Sequence, residues 1–167
     1  FDYATPYTIY VRGEMGNDTT DWGSAMLFMD CGSYPMPYRY LGESHKCWET
    51  YDEIKSGSGS WSFGTTAENG ITLSTLSKTG HFMAVSPAIE VLDSNTFVSF
   101  NYYNYSENSS MIVSVISDDA TVCDTLLNIA GKTPADGSNA IKLPFSKKIN
   151  RYAGKNVMVR ISTRIAR

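Results

Sequence analysis

The sequence predicts an all-β chain, a sandwich of two antiparallel sheets with one long irregular excursion, and three observations lead to that class. Short runs rich in aromatic and β-branched residues, the types that suit a pleated and half-buried surface, recur through all 167 residues. Gly, Pro, Asn and Asp punctuate these runs at short spacing. Almost nothing holds a helical period beyond a turn or two, which is the habit of a sandwich rather than of alternating strands and helices. A chain of this length can bury a core without outside help, so one domain is expected over residues 1–167.

Each element follows in order. Tyr7-Thr8-Ile9-Tyr10-Val11-Arg12 alternates as a half-buried strand and stops at Gly13. Met26-Leu27-Phe28-Met29 reads as a buried strand, although a run so short also admits a turn of helix. Residues 30–59 read as a loop: Pro35 and Pro37 forbid a central strand, and Ser56-Gly57-Ser58-Gly59-Ser60 is a flexible breaker. Within that loop the spacing of Trp48, Tyr51 and Ile54 suits one short helix. An excursion so long inside a compact domain is uncommon and is usually functional or mobile. Short strands resume at 60–63, 71–74 and 81–85, each ended by a turn signal. Two stronger strands, 96–103 and 111–116, are joined by the polar residues 104–110 as a hairpin. Runs at 121–127, 139–143 and 156–162 complete the series, and no internal repeat is visible.

Composition narrows the class of function. A net charge of -3 argues against nucleic acid, whose phosphates need clustered Lys and Arg. The basic residues Lys147, Lys148, Arg151, Lys155, Arg160, Arg164 and Arg167 are spread among apolar ones, as on the solvent face of strands. No apolar run approaches the roughly 20 residues that span a bilayer, so membrane insertion is not expected. The chain opens on Phe1 without a basic and then apolar leader, and reads as a processed or excised piece. Three cysteines leave at least one outside any intrachain pair. A bridge between Cys31 and Cys47 would close a loop of about 15 residues and contribute about 3 kcal/mol; three reduced thiols in a cytosolic chain are the alternative. Cys123, in Thr121-Val122-Cys123-Asp124, is expected to be a buried free thiol. Asn-x-Ser/Thr triplets stand at Asn17, Asn104 and Asn108, and bear on compartment only in a eukaryotic secreted protein.

The order of features in the second half resembles a known group of modules. Gly80-His81-Phe82-Met83-Ala84-Val85-Ser86-Pro87-Ala88-Ile89-Glu90-Val91 precedes Phe97-Val98-Ser99-Phe100-Asn101-Tyr102-Tyr103. Met111-Ile112-Val113-Ser114-Val115-Ile116-Ser117-Asp118-Asp119 follows, and then Ile141-Lys142-Leu143-Pro144 and Tyr152-Ala153-Gly154-Lys155-Asn156-Val157-Met158-Val159-Arg160-Ile161. From Gly80 to Ile161 this is similar to the MAM, cleaved-adhesin and choice-of-anchor J domains. The resemblance implies a jelly-roll sandwich, displayed outside the cell or at its surface, that adheres or binds carbohydrate. A generic sandwich shares these habits, with proline at a strand edge, alternating aromatics and a glycine turn before the last strand. The family's acidic closing strand has no counterpart in Arg164-Ile165-Ala166-Arg167, and Trp22 and Trp61-Ser62-Phe63 are the only echoes in the first half.

Catalysis fits the residues poorly. His45 and His81 are the two available bases, and neither lies in a nucleophile motif. His45-Lys46-Cys47 with Cys31 falls short of the ligand spacing of structural zinc. Asp118-Asp119 and Asp52-Glu53 are adjacent acids, which on a strand would point to opposite faces and so make poor glycosidase pairs; they read as solvated turn residues. Calcium suits the chain better. Gly16-Asn17-Asp18-Thr19-Thr20-Asp21-Trp22 sets oxygen ligands at short intervals, with Asp18 and Asp21 as the metal candidates, and the same turn is equally at home without an ion. The expected ligand-binding residues are aromatic: Tyr38, Tyr40, Trp48 and Tyr51 in the 30–51 loop, and Tyr103 and Tyr105 in the 101–110 connection. Exposed Tyr and Trp present a flat apolar face with a polar handle to a glycan or a surface protein. The same rings also serve to order a loop that lacks regular hydrogen bonds. A structural or receptor-binding domain of an oligomeric assembly such as a phage fibre or virion, and an accessory module of a secreted hydrolase or protease, are the rival readings.

Overall fold

The computed structural model describes residues 6–15, 18–20, 23–28, 31–38, 40, 47–64, 70–117, 121–136 and 139–166, and among them there is no α-helix. The chain divides into two compact units, Phe1–Gly32 and Ser33–Arg167.

The first unit is a hairpin built from β1 (Pro6–Val11), β2 (Glu14–Met15), β3 (Asp18–Thr19) and β4 (Gly23–Phe28). The alternating run at 7–12 makes β1, and the short apolar run of uncertain type makes β4; they pair antiparallel, from Pro6 opposite Phe28 to Val11 opposite Gly23. Toward the tip β2 pairs β3, and the backbone N–H of Thr20 donates to Gly13 O at 3.0 Å.

The second unit holds β5 (Ser33–Tyr34), β6 (Glu49–Phe63), β7 (Ile71–Val85), β8 (Ala88–Val91), β9 (Phe97–Tyr102), β10 (Ser109–Ile116) and β11 (Val122–Ala130). After these come β12 (Ala135–Asp136), β13 (Asn139–Ala140), β14 (Leu143–Lys148), a 3₁₀ turn at Asn150–Tyr152 and β15 (Lys155–Ile165). Gly154, at φ 77°, makes the turn into β15 in a conformation other residues adopt only under strain. A seven-stranded sheet runs in the order β11-β10-β15-β7-β6, with β8 on the first residues of β15 and β5 parallel to β8. β9 and β14 form a separate antiparallel pair.

Registers define the two faces of the large sheet, because residues directly opposite one another share a face. Phe82 faces Thr163, Ala84 faces Ile161 and Ile161 faces Val113, so these side chains line one surface with Val115 and Val159. Phe82, Ala84 and Val115 are wholly buried. Against this surface lie Val98, Phe100 and Phe145 of the β9–β14 pair, with Val91, Leu126, Ile149 and Tyr152 closing the core. The architecture is therefore sandwich-like, as the sequence predicts at that level.

The largest departure concerns residues 48–63. No helix forms around Trp48, Tyr51 and Ile54; the chain is strand from Glu49 to Phe63. Fifteen straight strand residues would span roughly 50 Å, yet the rings of Trp48 and Phe63 stand 6.2 Å apart and Trp61 Nε1 donates to Asp52 Oδ1 at 3.2 Å. The β6–β7 ribbon doubles back. Its register slips on both sides of Ser56 and Gly57 has φ 78°, so the Ser/Gly breaker is a corner made of bulges. Beyond it Trp61 and Phe63 lie opposite Leu73 and Ile71 and are half-buried, whereas Ser60, Ser62 and Ser74 face solvent. Asp52 shares the face of Phe82, so the returning arm covers that end of the core.

Three further expectations are corrected. The runs at 71–74 and 81–85 are one strand, β7, because the corner lies in its partner and the two bend together. β9 and β10 do not pair: β9 joins β14 and β10 joins β11 and β15, so residues 103–108 cross between sheets. Cys123 is free but exposed rather than buried. It is the extra residue of a bulge in β11, since Val115 faces Asp124 while Ile116 faces Val122. That outer strand is screened by cations: Lys147 Nζ donates to Thr125 O at 3.1 Å and Arg151 Nη2 to Cys123 O at 2.9 Å. Cys31 and Cys47 are both disulfide-bonded.

Candidate functional site

The crossing between the sheets carries two of the expected aromatics that remain accessible, and Tyr51 on β6 is the third. Tyr103 is 36% exposed and Tyr105 57%, and their rings meet edge to face at 5.0 Å between centroids. Between them Asn104 turns inward. Its Nδ2 donates to Gly131 O at 2.7 Å and to Ser109 Oγ at 2.8 Å. Ser109, itself buried, has its hydroxyl 2.9 Å from Asn104 Oδ1 and 3.1 Å from Ser106 O. The main chain adds a clasp, with Asn104 N donating to Thr133 Oγ1 at 2.9 Å and Thr133 N to Asn104 O at 2.9 Å. A loop carrying two exposed rings is thus fixed to the ends of β10 and β11 through one amide side chain. Asn104 occurs in the sequence only as a glycosylation triplet; its role as the fastener depends on Ser109, Gly131 and Thr133, which only the fold brings together. Asn108, in the neighbouring triplet, is exposed.

The 30–51 loop behaves differently. Tyr34, Tyr38, Tyr40 and Trp48 are half-buried and gather against the returning end of β6. Trp48 Nε1 donates to Tyr38 Oη at 2.9 Å, and Tyr40 Oη donates to Gly64 O at 3.0 Å. Tyr34 and Tyr38 meet edge to face at 5.5 Å, and Tyr40 and Trp48 at 5.8 Å. The phenol of Tyr34 donates to the sulfur of Cys47, 3.2 Å away. Burial, followed by the neighbouring Tyr38, raises the pKa of the Tyr40 phenol. These rings order a segment that has little ladder of its own. Tyr51 stands apart, half exposed on β6, where its hydroxyl donates to Glu49 and that bond raises its pKa. The structure therefore brings Tyr38, Tyr40 and Trp48 together and sets Tyr103 with Tyr105 as a separate pair.

Of the calcium candidates, Asp18 lies on β3 and Asp21 lies outside the described residues. Among the described residues no three His, Cys, Asp or Glu side chains gather as a metal would require. His45, Asp118 and Asp119 lie outside the described residues, as does Trp22. His81 Nε2 and Ser162 Oγ are 2.6 Å apart across neighbouring strands, with no acid within ion-pairing distance of the ring among the described residues.

Set beside known protein families, curated proteins and solved structures, the chain matches none.

Proposed function

We propose that the chain is a non-catalytic module of jelly-roll type, related in plan to the MAM and cleaved-adhesin domains, that binds carbohydrate at a surface outside the cell through Tyr103 and Tyr105. The observation that supports it is the pair of exposed rings on a loop fastened by Asn104. A sugar ring laid on tyrosine exchanges apolar C–H surface for a π-face while the phenol oxygen remains free to hydrogen-bond. Because the loop is already ordered, little conformational freedom is lost when ligand arrives. Recognition on a connection held by rigid strands is also the usual division of labour. The test is a glycan array probed with the wild-type chain and with the Tyr103→Ala, Tyr105→Ala double variant. Signal on a defined glycan class that the double variant loses supports the reading; wild-type and double variant giving the same profile, or neither giving any, removes it.

The N-terminal hairpin favours one second reading, a domain that contributes contacts to a larger assembly. A two-stranded sheet is marginal in water by itself, and Tyr10 and Val11 on β1 are 65% and 64% exposed. Light scattering coupled to size exclusion separates the two: this second reading expects a stable oligomer whose mass falls to that of the monomer in a Tyr10→Ser, Val11→Ser variant.

A further inference from the structure

We infer that the face of the large sheet turned away from the core carries an oxyanion site, formed by Arg160 and Arg164 with Ser162 between them and His81 opposite Arg164, that takes a carboxylate or sulfate group.

The placement follows from strand alternation. Val157, Val159 and Ile161 of β15 point into the core, so Arg160, Ser162 and Arg164 point the other way. On β7, Val85 lies opposite Arg160, Met83 opposite Ser162 and His81 opposite Arg164. On β10, Ser114 lies opposite Arg160 and Ser110 opposite Arg164. The two arginines are separated by about 13 Å of strand, with Ser162 midway, and each side chain is long enough to cover half that gap. Both guanidinium forks can therefore converge above Ser162, whose hydroxyl is already held by His81 Nε2 at 2.6 Å.

Two observations show that this charge lacks a counterpart within the described chain. Arg160 is half-buried, and its Nε is wholly buried with no hydrogen-bond partner. A buried donor on a charged group is expensive to leave unmade, and such a group points to a missing partner. Neither Arg160 nor Arg164 forms an ion pair among the described residues; the pairs present there are Arg12 with Glu14, and Lys147 and Arg151 with Asp124. Among the described residues Glu90 of β8 shares this face, opposite Asn156, and accepts from Ser33, while Glu49 and Glu53 of β6 lie opposite Val85 and His81. The two β6 acids are two strand spacings from the arginines, about 10 Å, and Glu49 already accepts from Tyr51. In a chain of net charge -3, two unpaired arginines flanking a fixed hydroxyl form a local positive field. Guanidinium forks recognise carboxylate and sulfate in bidentate fashion, which sets the chemical class.

This inference does not depend on Tyr103 and Tyr105. The experiment follows the arginine Nε–H signals of the ¹⁵N-labelled full chain by NMR during titration with sodium sulfate, against sodium chloride at equal ionic strength. The Arg160 and Arg164 signals are expected to move saturably with sulfate alone while that of Arg151, paired with Asp124, stays in place. Arg164→Gln, a change at an exposed position, is expected to weaken sulfate at least tenfold, judged by the remaining Arg160 signal. A sulfated disaccharide tighter than sulfate identifies a sugar-borne group, and equal affinities identify the free ion; its desulfated parent is expected not to bind. Sulfate and chloride acting alike, or Arg164→Gln titrating as wild type does, overturns the site.

Discussion

Replacing Asn104 by alanine tests the fastening of the Tyr103–Tyr105 loop most sharply. The substitution deletes the amide that donates to Gly131 O at 2.7 Å and to Ser109 Oγ at 2.8 Å, and removes the Oδ1 that stands 2.9 Å from the Ser109 hydroxyl. The contacts to Ser106 N and O, both at 3.3 Å, add little at that length. Each short bond contributes about 1 kcal/mol, so the three together amount to about 3 kcal/mol. The backbone clasp to Thr133 is untouched. Urea denaturation monitored by fluorescence is therefore expected to show an unchanged slope and, for a slope of about 2 kcal/mol per M, a midpoint lower by about 1.5 M. Near-ultraviolet circular dichroism should lose part of the tyrosine signal as Tyr103 and Tyr105 separate. Asn104→Asp keeps the acceptor but not the donors and should retain only a minor part of the stability. A loss below about 1 kcal/mol with an unchanged tyrosine signal would refute the idea that Asn104 holds the loop.

The remaining predictions concern the core, the bridge and the tyrosines. Phe82→Ala empties a wholly buried site beneath the returning β6–β7 arm and is expected to cost about 3–5 kcal/mol by calorimetry; a loss under about 1 kcal/mol would mean that the arm does not close the core there. Cys31→Ser with Cys47→Ser removes the disulfide and is expected to destabilise by about 3 kcal/mol, or roughly 6–12 °C in melting temperature, with an unchanged melt as the contrary result. The Tyr40 phenol, whose pKa is raised above its ordinary 10.0, holds its proton more tightly folded than unfolded. Its contribution is thus complete below about pH 10 and fades as pH rises through the raised value, so alkaline melting should fall less steeply in Tyr40→Phe than in wild type.

What the sequence made legible was local. Alternation at 97–102 marks a strand because one of its faces packs on the core, so exposed and half-buried residues take turns; 7–12 and 111–116 are strands too, but Tyr10, Val11 and Arg12 are all exposed and 113–116 are all buried. The Ser/Gly segment at 56–60 was legible as a break in regularity, but whether such a break ends a strand or bends it depends on the partner strand, and β7 runs continuously past it. Helical spacing of Trp48, Tyr51 and Ile54 misled because three apolar residues at short intervals also arise on a strand whose one end is tucked under a neighbouring ring. Pairing was out of reach: the polar residues after Tyr102 have the composition of a hairpin turn, and only the register of β9 on β14 shows that they change sheets. At the site, tyrosine content pointed to both aromatic groups. Which rings turn in and which stay out was decided by Gly64, Phe63 and Gly131, residues distant in the chain.

The account turns on Tyr103 and Tyr105 being the surface a sugar meets. Titrating the chain with the strongest oligosaccharide from an array, while following every tyrosine ring by NMR, addresses that claim directly. Shifts and saturation transfer confined to Tyr103 and Tyr105, with Tyr38, Tyr40 and Trp48 unchanged, are the predicted result. Perturbation centred on the Tyr38–Trp48 cluster, or spread over no ring at all, would contradict it.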